Sequence, residues 1–279
     1  MKDEKITQLK YSNTNTYLIE GDAGSILFDT GWAGTFQALC AEFGRLEKDL
    51  SRVRYLVISH FHPDHYGIAQ EIADCGPVIL AADVQKDRLH ASDAVFEKDA
   101  RTPFTPIRDE AVQVISLRES RQVLEEMGIA GELLHTPGHS EDSISLILDQ
   151  GVAFVGDLNP LYELELHRGT QIGESWEKVL SHHPKAVYYG HAKTATLEAD
   201  TGAAVRIPKA DPEEDTGRVQ YYELTTRIVK YIDKGYSPER IAKKTGADPV
   251  FIEDLMRMYL THPGISTQGI LDRIEIKGK

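Results

Sequence analysis

The chemistry of this chain is concentrated in Ser59-His60-Phe61-His62-Pro63-Asp64-His65-Tyr66-Gly67. His60, His62, Asp64 and His65 put four ligand-type side chains into six positions, directly after the apolar residues 55–58. If the strand read over residues 53–58 ends at about His60, then His60 and His62, two apart, point to the same side. Pro63 cannot continue a ladder and turns the chain, which brings Asp64 and His65 back toward the same pocket. Ligand-type groups crowded at a strand end are a metal-site signature, and a solvated histidine cluster does not account for the buried-looking strand before it.

Three positions downstream extend the set: His139 in Thr136-Pro137-Gly138-His139-Ser140, Asp157 in Gly156-Asp157, and His191 in Gly190-His191. Each follows a glycine at the end of a strand-like run, where a missing side chain permits a tight bend. Taken singly, each reads as a loop residue. In this order they complete five imidazoles and two carboxylates, a donor set that suits zinc, iron or manganese and includes no thiolate to bias the choice. Two dications held close together would bring the pKa of a shared water near neutrality, which is chemistry for hydrolysis.

These motifs resemble the metallo-β-lactamase superfamily. The pattern His-x-His-x-Asp-His, a distant His, an Asp and a final Gly-His is matched residue by residue, and Asn15-Thr16-Tyr17-Leu18-Ile19 and Leu27-Phe28-Asp29-Thr30-Gly31 resemble its opening strand and first loop. The similarity covers roughly residues 10 to 200. It implies an α/β fold, an αββα sandwich of two mixed sheets with helices outside and metals at one edge. It also implies that His60, His62 and His139 hold one ion, that Asp64, His65 and His191 hold a second, and that Asp157 bridges them. Zinc is the first expectation, with iron or manganese as alternatives. Asp64 is the expected catalytic residue, orienting the attacking water. Asp29 is either a support for a ligating imidazole or a turn residue.

The elements that must position these residues are legible in outline. Residues 17–19 and 25–28 flank the turn-forming Glu20-Gly21-Asp22-Ala23-Gly24, which reads as a hairpin. Residues 33–49 repeat at the helical period, with Phe36, Leu39, Cys40, Phe43 and Leu46 as the apolar set. A short helix is expected at 68–72, and strands at 78–80, 112–117, 132–135, 143–148, 152–155 and 186–189. His65 and His139 are 74 residues apart, which predicts an insertion over about 84–130 near the site mouth. The catalytic domain is expected to span 1–207, followed by a helical segment over 208–279 in which Ser237-Pro238 starts a helix that Gly246 ends.

Composition narrows the function classes. The 279 residues are 41% hydrophobic and 27% charged, ordinary for a globular chain. There are 31 basic against 44 acidic residues, a net charge of −13 that disfavours general nucleic-acid binding. No run approaches the ~20 apolar residues of a membrane span, the polar start has no apolar leader core, and Cys40 and Cys75 are too few for a disulfide scaffold and read as small core residues. A cytoplasmic protein is expected. The leading functional reading is hydrolysis of a small carboxyl ester, thioester or lactone. Iron-dependent redox chemistry, such as sulfur dioxygenation, is a second reading. The flavodiiron variant is disfavoured because its motif has Glu in place of the second His, and no flavodoxin-like segment is seen. A third is a regulatory role for the helices of residues 237–260, whose basic Arg240, Lys243 and Lys244 are balanced by Glu239, Glu253 and Asp254.

The C-terminal helices have two candidate uses, a functional surface (substrate pocket or homodimer interface) or a stabilising cap. Truncation after Ile207 should give an insoluble or inactive product. A soluble, fully active truncation with unchanged oligomeric state would show instead that the segment is an independent module.

Overall fold

A computed structural model describes residues 5–97, 103–197, 212–248, 251–252, 255–256, 259, 267 and 270. The chain divides into two compact units, Met1–Val205 and Arg206–Lys279. Unit 1 holds two sheets. The first runs β1 (Lys5–Leu9), β2 (Thr16–Glu20), β3 (Ser25–Phe28), β4 (Val53–Val57), β5 (Val78–Ala82) and β6 (Val112–Ile115) in spatial order. β1, β2 and β3 pair antiparallel, and β3 through β6 pair parallel. The second comprises β7 (Gly131–His135), β8 (Ile144–Leu148), β9 (Val152–Phe154), β10 (Ala186–Tyr188) and β11 (Ala195–Thr196). In space β8 lies between β7 and β9, and β10 lies between β9 and β11, with only β9 and β10 parallel.

Period-two alternation sorts the strand residues into apolar layers. Tyr17, Ile19, Ile26, Phe28, Tyr55 and Val57 of the first sheet meet Leu133, Ile144, Leu146, Leu148 and Phe154 of the second in the central layer. The alternate residues Leu18, Leu27 and Leu56 pack outward with Leu39 and Phe43 of α1 (Phe36–Arg45) and with Ala69 and Ile72 of α3 (Ala69–Ala73). A one-turn helix, α2 (Pro63–Tyr66), precedes α3. On the far side, Ile147, Ala153, Val155 and Val187 pack with Trp176 and Val179 of α6 (Gln171–Ser181). This is the αββα layering, and β2, β3, β5 and β8 are buried along nearly their whole length, which is why they read as continuous apolar runs.

The hairpin and the seven other strands expected from sequence are present, within a residue or two at their ends. β11 went unread because two residues carry no periodicity. One expectation is corrected. Cys40 and Cys75 are exposed. Cys40 sits beside the Leu39–Phe43 stripe of α1, about 100° around the helix from Leu39, so the apolar set is narrower than its residue types suggest. The stretch 84–130 holds α4 (Asp93–Glu97), β6, which pairs with β5 in the first sheet, and α5 (Ser120–Glu125), which packs against β7.

In unit 2, α7 (Pro212–Ile232) and α8 (Pro238–Thr245) bury Ile228, Ile232 and Ile241 with Ile252, Leu255 and Ile270. The Ser237 hydroxyl accepts from the Arg240 amide, Pro238 occupies the first turn, and Gly246 closes α8 at φ 75°. The apolar positions Ile228 and Ile232 thus find cover within their own unit, while Tyr222 is exposed. No helix among the described residues is long and apolar enough to cross a membrane.

Gln85, fully buried just after β5, ties this architecture to the site. Its amide nitrogen donates to the Ile58 carbonyl at 2.9 Å and its oxygen accepts from the Ala82 amide at 3.1 Å. Gln85→Leu leaves both backbone groups without these partners in an apolar setting and should cost about 2–4 kcal/mol. Denaturant unfolding checks this, and a variant within about 0.5 kcal/mol of the parent would show the two bonds to be dispensable.

Candidate metal centre

The parallel strands β3, β4, β9 and β10 all direct their carboxyl ends to one edge of the sandwich. Asp29 follows β3, the segment His60–His65 follows β4, Asp157 follows β9 and His191 follows β10, while His139 lies in the loop between β7 and β8. The strand before the histidines ends at Val57, not His60. His60 and His62 therefore project from a loop, and the expectation that strand alternation aligns them is corrected. His62 is instead the N-cap of α2, with Pro63 at its first position, and this helical turn carries Asp64 and His65.

All seven expected residues converge. His60 Nε2 lies 3.0 Å from His62 Nδ1, and His139 Nε2 lies 3.0 Å from the same atom. His65 Nε2 is 3.2 Å from His191 Nε2, and His191 Nε2 is 3.0 Å from Asp64 Oδ2. Asp157 stands between the two groups. Its Oδ1 is 3.4 Å from His65 Nε2 and 3.6 Å from His191 Nε2, whereas its Oδ2 is 3.6 Å from His139 Nε2. Three sets, His60/His62/His139, His60/His65/Asp157 and Asp64/His65/His191, each bring their ligand atoms within 4.8 Å of one another and could hold a metal ion.

Ring nitrogens turned toward each other in a buried site compete for few protons, so this arrangement fits a cation better than it fits internal hydrogen bonding. The tautomers agree. His191 Nδ1 donates to the Asn13 carbonyl at 2.9 Å, leaving Nε2 with a lone pair facing the site. His65 Nδ1 donates to Asp29 Oδ2 at 3.0 Å, with the same result. The Ser59 hydroxyl donates to Asp29 Oδ2 at 2.8 Å and so accepts from His60 Nδ1 at 3.0 Å, freeing His60 Nε2. Asp29 thus hydrogen-bonds the His65 ring and, through Ser59, reaches the His60 ring.

Two glycines make room. Gly156 adopts φ 54°, and a Cβ there would fall 2.5 Å from Ser59 Oγ. A Cβ on Gly190 would lie 2.6 Å from Asp157 Oδ1 and 2.8 Å from His65 Cε1. Backbone clamps do the rest: Asp142 Oδ2 accepts from the Phe61 amide at 2.7 Å, Thr14 Oγ1 donates to the Asp64 carbonyl at 2.6 Å, and Thr30 Oγ1 donates to the His65 carbonyl at 2.9 Å. Sequence reading missed Ser59, Asp142, Thr14 and Asn13, whose partners are brought to them only by the fold. Ser59 alone carried a signal, being next to His60.

The electrostatics are divided. Burial, reinforced by the neighbouring imidazoles of His65, His62 and His139, holds His60 well below the usual histidine range. Burial alone would lower His65 too, but Asp157, Asp29 and Asp64 outweigh it and hold His65 well above that range. A metal entering the site would therefore compete with a proton for His65.

A family model described as the metallo-beta-lactamase superfamily matches residues 10–194. A beta-lactamase-like protein 2 homolog of Drosophila melanogaster is 25% identical over 218 residues, covering 75% of this chain and 63% of that one. The Caenorhabditis elegans homolog is 28% identical over 184 residues, 64% of this chain and 55% of that one. The chain thus spans roughly six-tenths of the length of these relatives. A probable metallo-hydrolase of Methanocaldococcus jannaschii is 29% identical over 151 residues, 53% of this chain and 68% of that one. Among solved structures, the BLEG-1 B3 metallo-beta-lactamase superposes with a TM-score of 0.53 at 21% identity, covering 69% of this chain and 94% of that one. TTHA1623 in a di-iron-bound form gives 0.51 at 22% identity with the same coverage.

Because Asp29 fixes one imidazole of each group, Asp29→Ala should weaken divalent-metal affinity by about 10–100-fold. In the parent protein, affinity should fall as pH is lowered through the raised His65 value, where the proton wins, and rise above it. Chelator competition across pH checks both. Unchanged affinity in the variant, or tighter binding toward acid, would contradict this account of the site.

Proposed function

The chain belongs to the metallo-beta-lactamase superfamily, and on that premise we propose that it is a dinuclear metal-dependent hydrolase of a small carboxyl ester, thioester or lactone. The observation that carries the reading is the placement of Asp157, with one carboxylate oxygen toward the His65/His191 group and the other toward His139. His60, His62 and His139 would hold one ion, Asp64, His65 and His191 the other, and Asp157 both. Two divalent ions, with zinc the first candidate, supply Lewis acidity toward a carbonyl oxygen and toward water.

The residues of the chain supply orientation. Asp64, at the first turn of α2 and 7% exposed in its side chain, orients the attacking water by accepting one of its hydrogens. Asp29 and Asn13 hold the imidazoles in the tautomers described above. In the reaction, water adds to the carbonyl carbon, the bond from that carbon to the leaving oxygen or sulfur breaks, and the water's protons are divided between solvent and the leaving group. An alkoxide or thiolate departs with little help, whereas an amide nitrogen needs a proton delivered to it. Were Asp157 to hold both ions, it would also add negative charge where an anionic nitrogen would otherwise be steadied. The family resemblance points the same way, since β-lactamases of this fold lack that bridging carboxylate. The donor set, nitrogen and oxygen only, suits iron as well, and a structural relative is known in a di-iron form. A redox reaction is therefore the second reading.

Metal-loaded protein should turn over some ester, thioester or lactone with kcat/KM at least ~100-fold above that for penicillins and cephalosporins, about 2.7 kcal/mol of transition-state preference. Activity should vanish on chelation and return with metal. Efficient β-lactam hydrolysis with inert ester and lactone panels would overturn the assignment. Oxygen consumption with a thiol substrate would favour the redox reading.

A further inference from the structure

Ser92 and Asp93, at the start of α4, are bonded directly to the ligating loop. Ser92 Oγ donates to the carbonyl of Phe61, the residue between His60 and His62, at 2.8 Å. The hydroxyl of Tyr66, next to His65, donates to Asp93 Oδ1 at 2.8 Å. Phe96 of α4 packs edge-on to Trp32 and Tyr66, at centroid distances of 5.2 and 6.0 Å, and stacks on Phe104 at 4.0 Å. Asp93 and Phe96 thus join α4 to the residues that carry the site.

Asp93 has a second bond. Its Oδ2 lies 3.1 Å from His90 Nδ1, while His90 Nε2 lies 3.0 Å from Asp109 Oδ1. Both ring nitrogens of His90 therefore face a carboxylate oxygen. A neutral imidazole has a single N–H and would set its other lone pair against an anionic oxygen. Only the imidazolium donates to both.

We propose that His90 is a positioning residue for the metal centre: as an imidazolium it joins Asp93 to Asp109 and holds α4 against the ligating loop, and loss of its proton releases that brace. The proposal rests on the hydrolase reading only for its functional consequence, since the brace itself is a property of the chain. Among the described residues, the charged groups facing the ring are Asp109, from the turn before β6, and Asp93, from α4. Arg108, beside Asp109, is paired with Asp74 and Glu110. Donation to Asp109, opposed by burial and reinforced by donation to Asp93, raises the His90 pKa. The sign follows: the brace is complete below the ordinary histidine value of 6.5 and is lost as pH rises through the raised value.

The test uses the full-length, metal-free chain with two readouts. Proton NMR follows the His90 ring, assigned by its loss in His90→Gln, and hydrogen exchange follows amides 61–66 and 88–97 between about pH 6 and 9, corrected for intrinsic rates. His90 should titrate above 6.5, and exchange in both segments should rise about tenfold across that same midpoint. Asp109→Asn, at a residue outside the site, should lower the His90 midpoint by roughly half a pH unit or more and move the exchange transition with it. His90→Gln should abolish the transition. Titration of His90 at or below 6.5, exchange that ignores pH in the parent, or an Asp109→Asn variant with unmoved midpoints would each overturn the proposal. No metal or substrate enters these measurements, so their failure is distinct from failure of the hydrolase reading.

Discussion

Asp29 leaves β3 in the left-handed region, φ 62°, and sets one buried carboxylate against Ser59 and His65 together. Left-handed backbone is tolerated by Asp at a cost of order 1 kcal/mol, and here it is offset by bonds from the Ser59 amide at 2.6 Å, the Ser59 hydroxyl at 2.8 Å and the His65 ring at 3.0 Å. Through Ser59 the same carboxylate reaches His60. One imidazole from each ligand group is thereby locked in rotamer and tautomer by a single anion. The Asp29 amide in turn donates to the Val57 carbonyl at 2.8 Å, so the anchor is part of the β3–β4 pairing. The site is as rigid as the parallel sheet beneath it.

The two sheets share the work unequally. The first supplies the dense cluster, because β4 leads straight into a loop and a proline-initiated helical turn that present four ligand-type side chains. The second supplies Asp157 and His191 from β9 and β10, each after a glycine that lets backbone pass close to a ring or carboxylate of the other group. The Ser59 carbonyl accepts from the Ile144 amide at 2.8 Å, and the Asn15 amide donates to the Gly190 carbonyl at 2.7 Å, so the sheets are stitched together at the edge where the ligands meet.

Much of this was legible in the residues. Ligand-type side chains at strand ends, after glycines, identify themselves by chemistry, and doubly buried strands identify themselves by unbroken apolar runs. The positioning groups were not legible. Asp142 acts on Phe61 across 81 residues through a backbone amide, and Asn13 acts on His191 across 178 through its own carbonyl, for which any residue would serve. His90 had one partner within reach of sequence reasoning, Asp93 three residues on, and one that only the fold reveals, Asp109. The alternation argument for His60 and His62 reached a correct convergence by a wrong route, because an apolar run does not mark where hydrogen bonding to the next strand stops. Cys40 shows the converse error: residue type at roughly helical spacing does not say which edge of the stripe reaches solvent.

The central claim is that two ions share Asp157. Anomalous scattering from crystals of the metal-loaded protein, recorded on both sides of the metal's absorption edge, tests it most directly. Two peaks should appear, one among His60, His62 and His139 and one among Asp64, His65 and His191, with an oxygen of Asp157 directed at each. A single peak, or a pair that leaves Asp157 uncoordinated, would contradict the account.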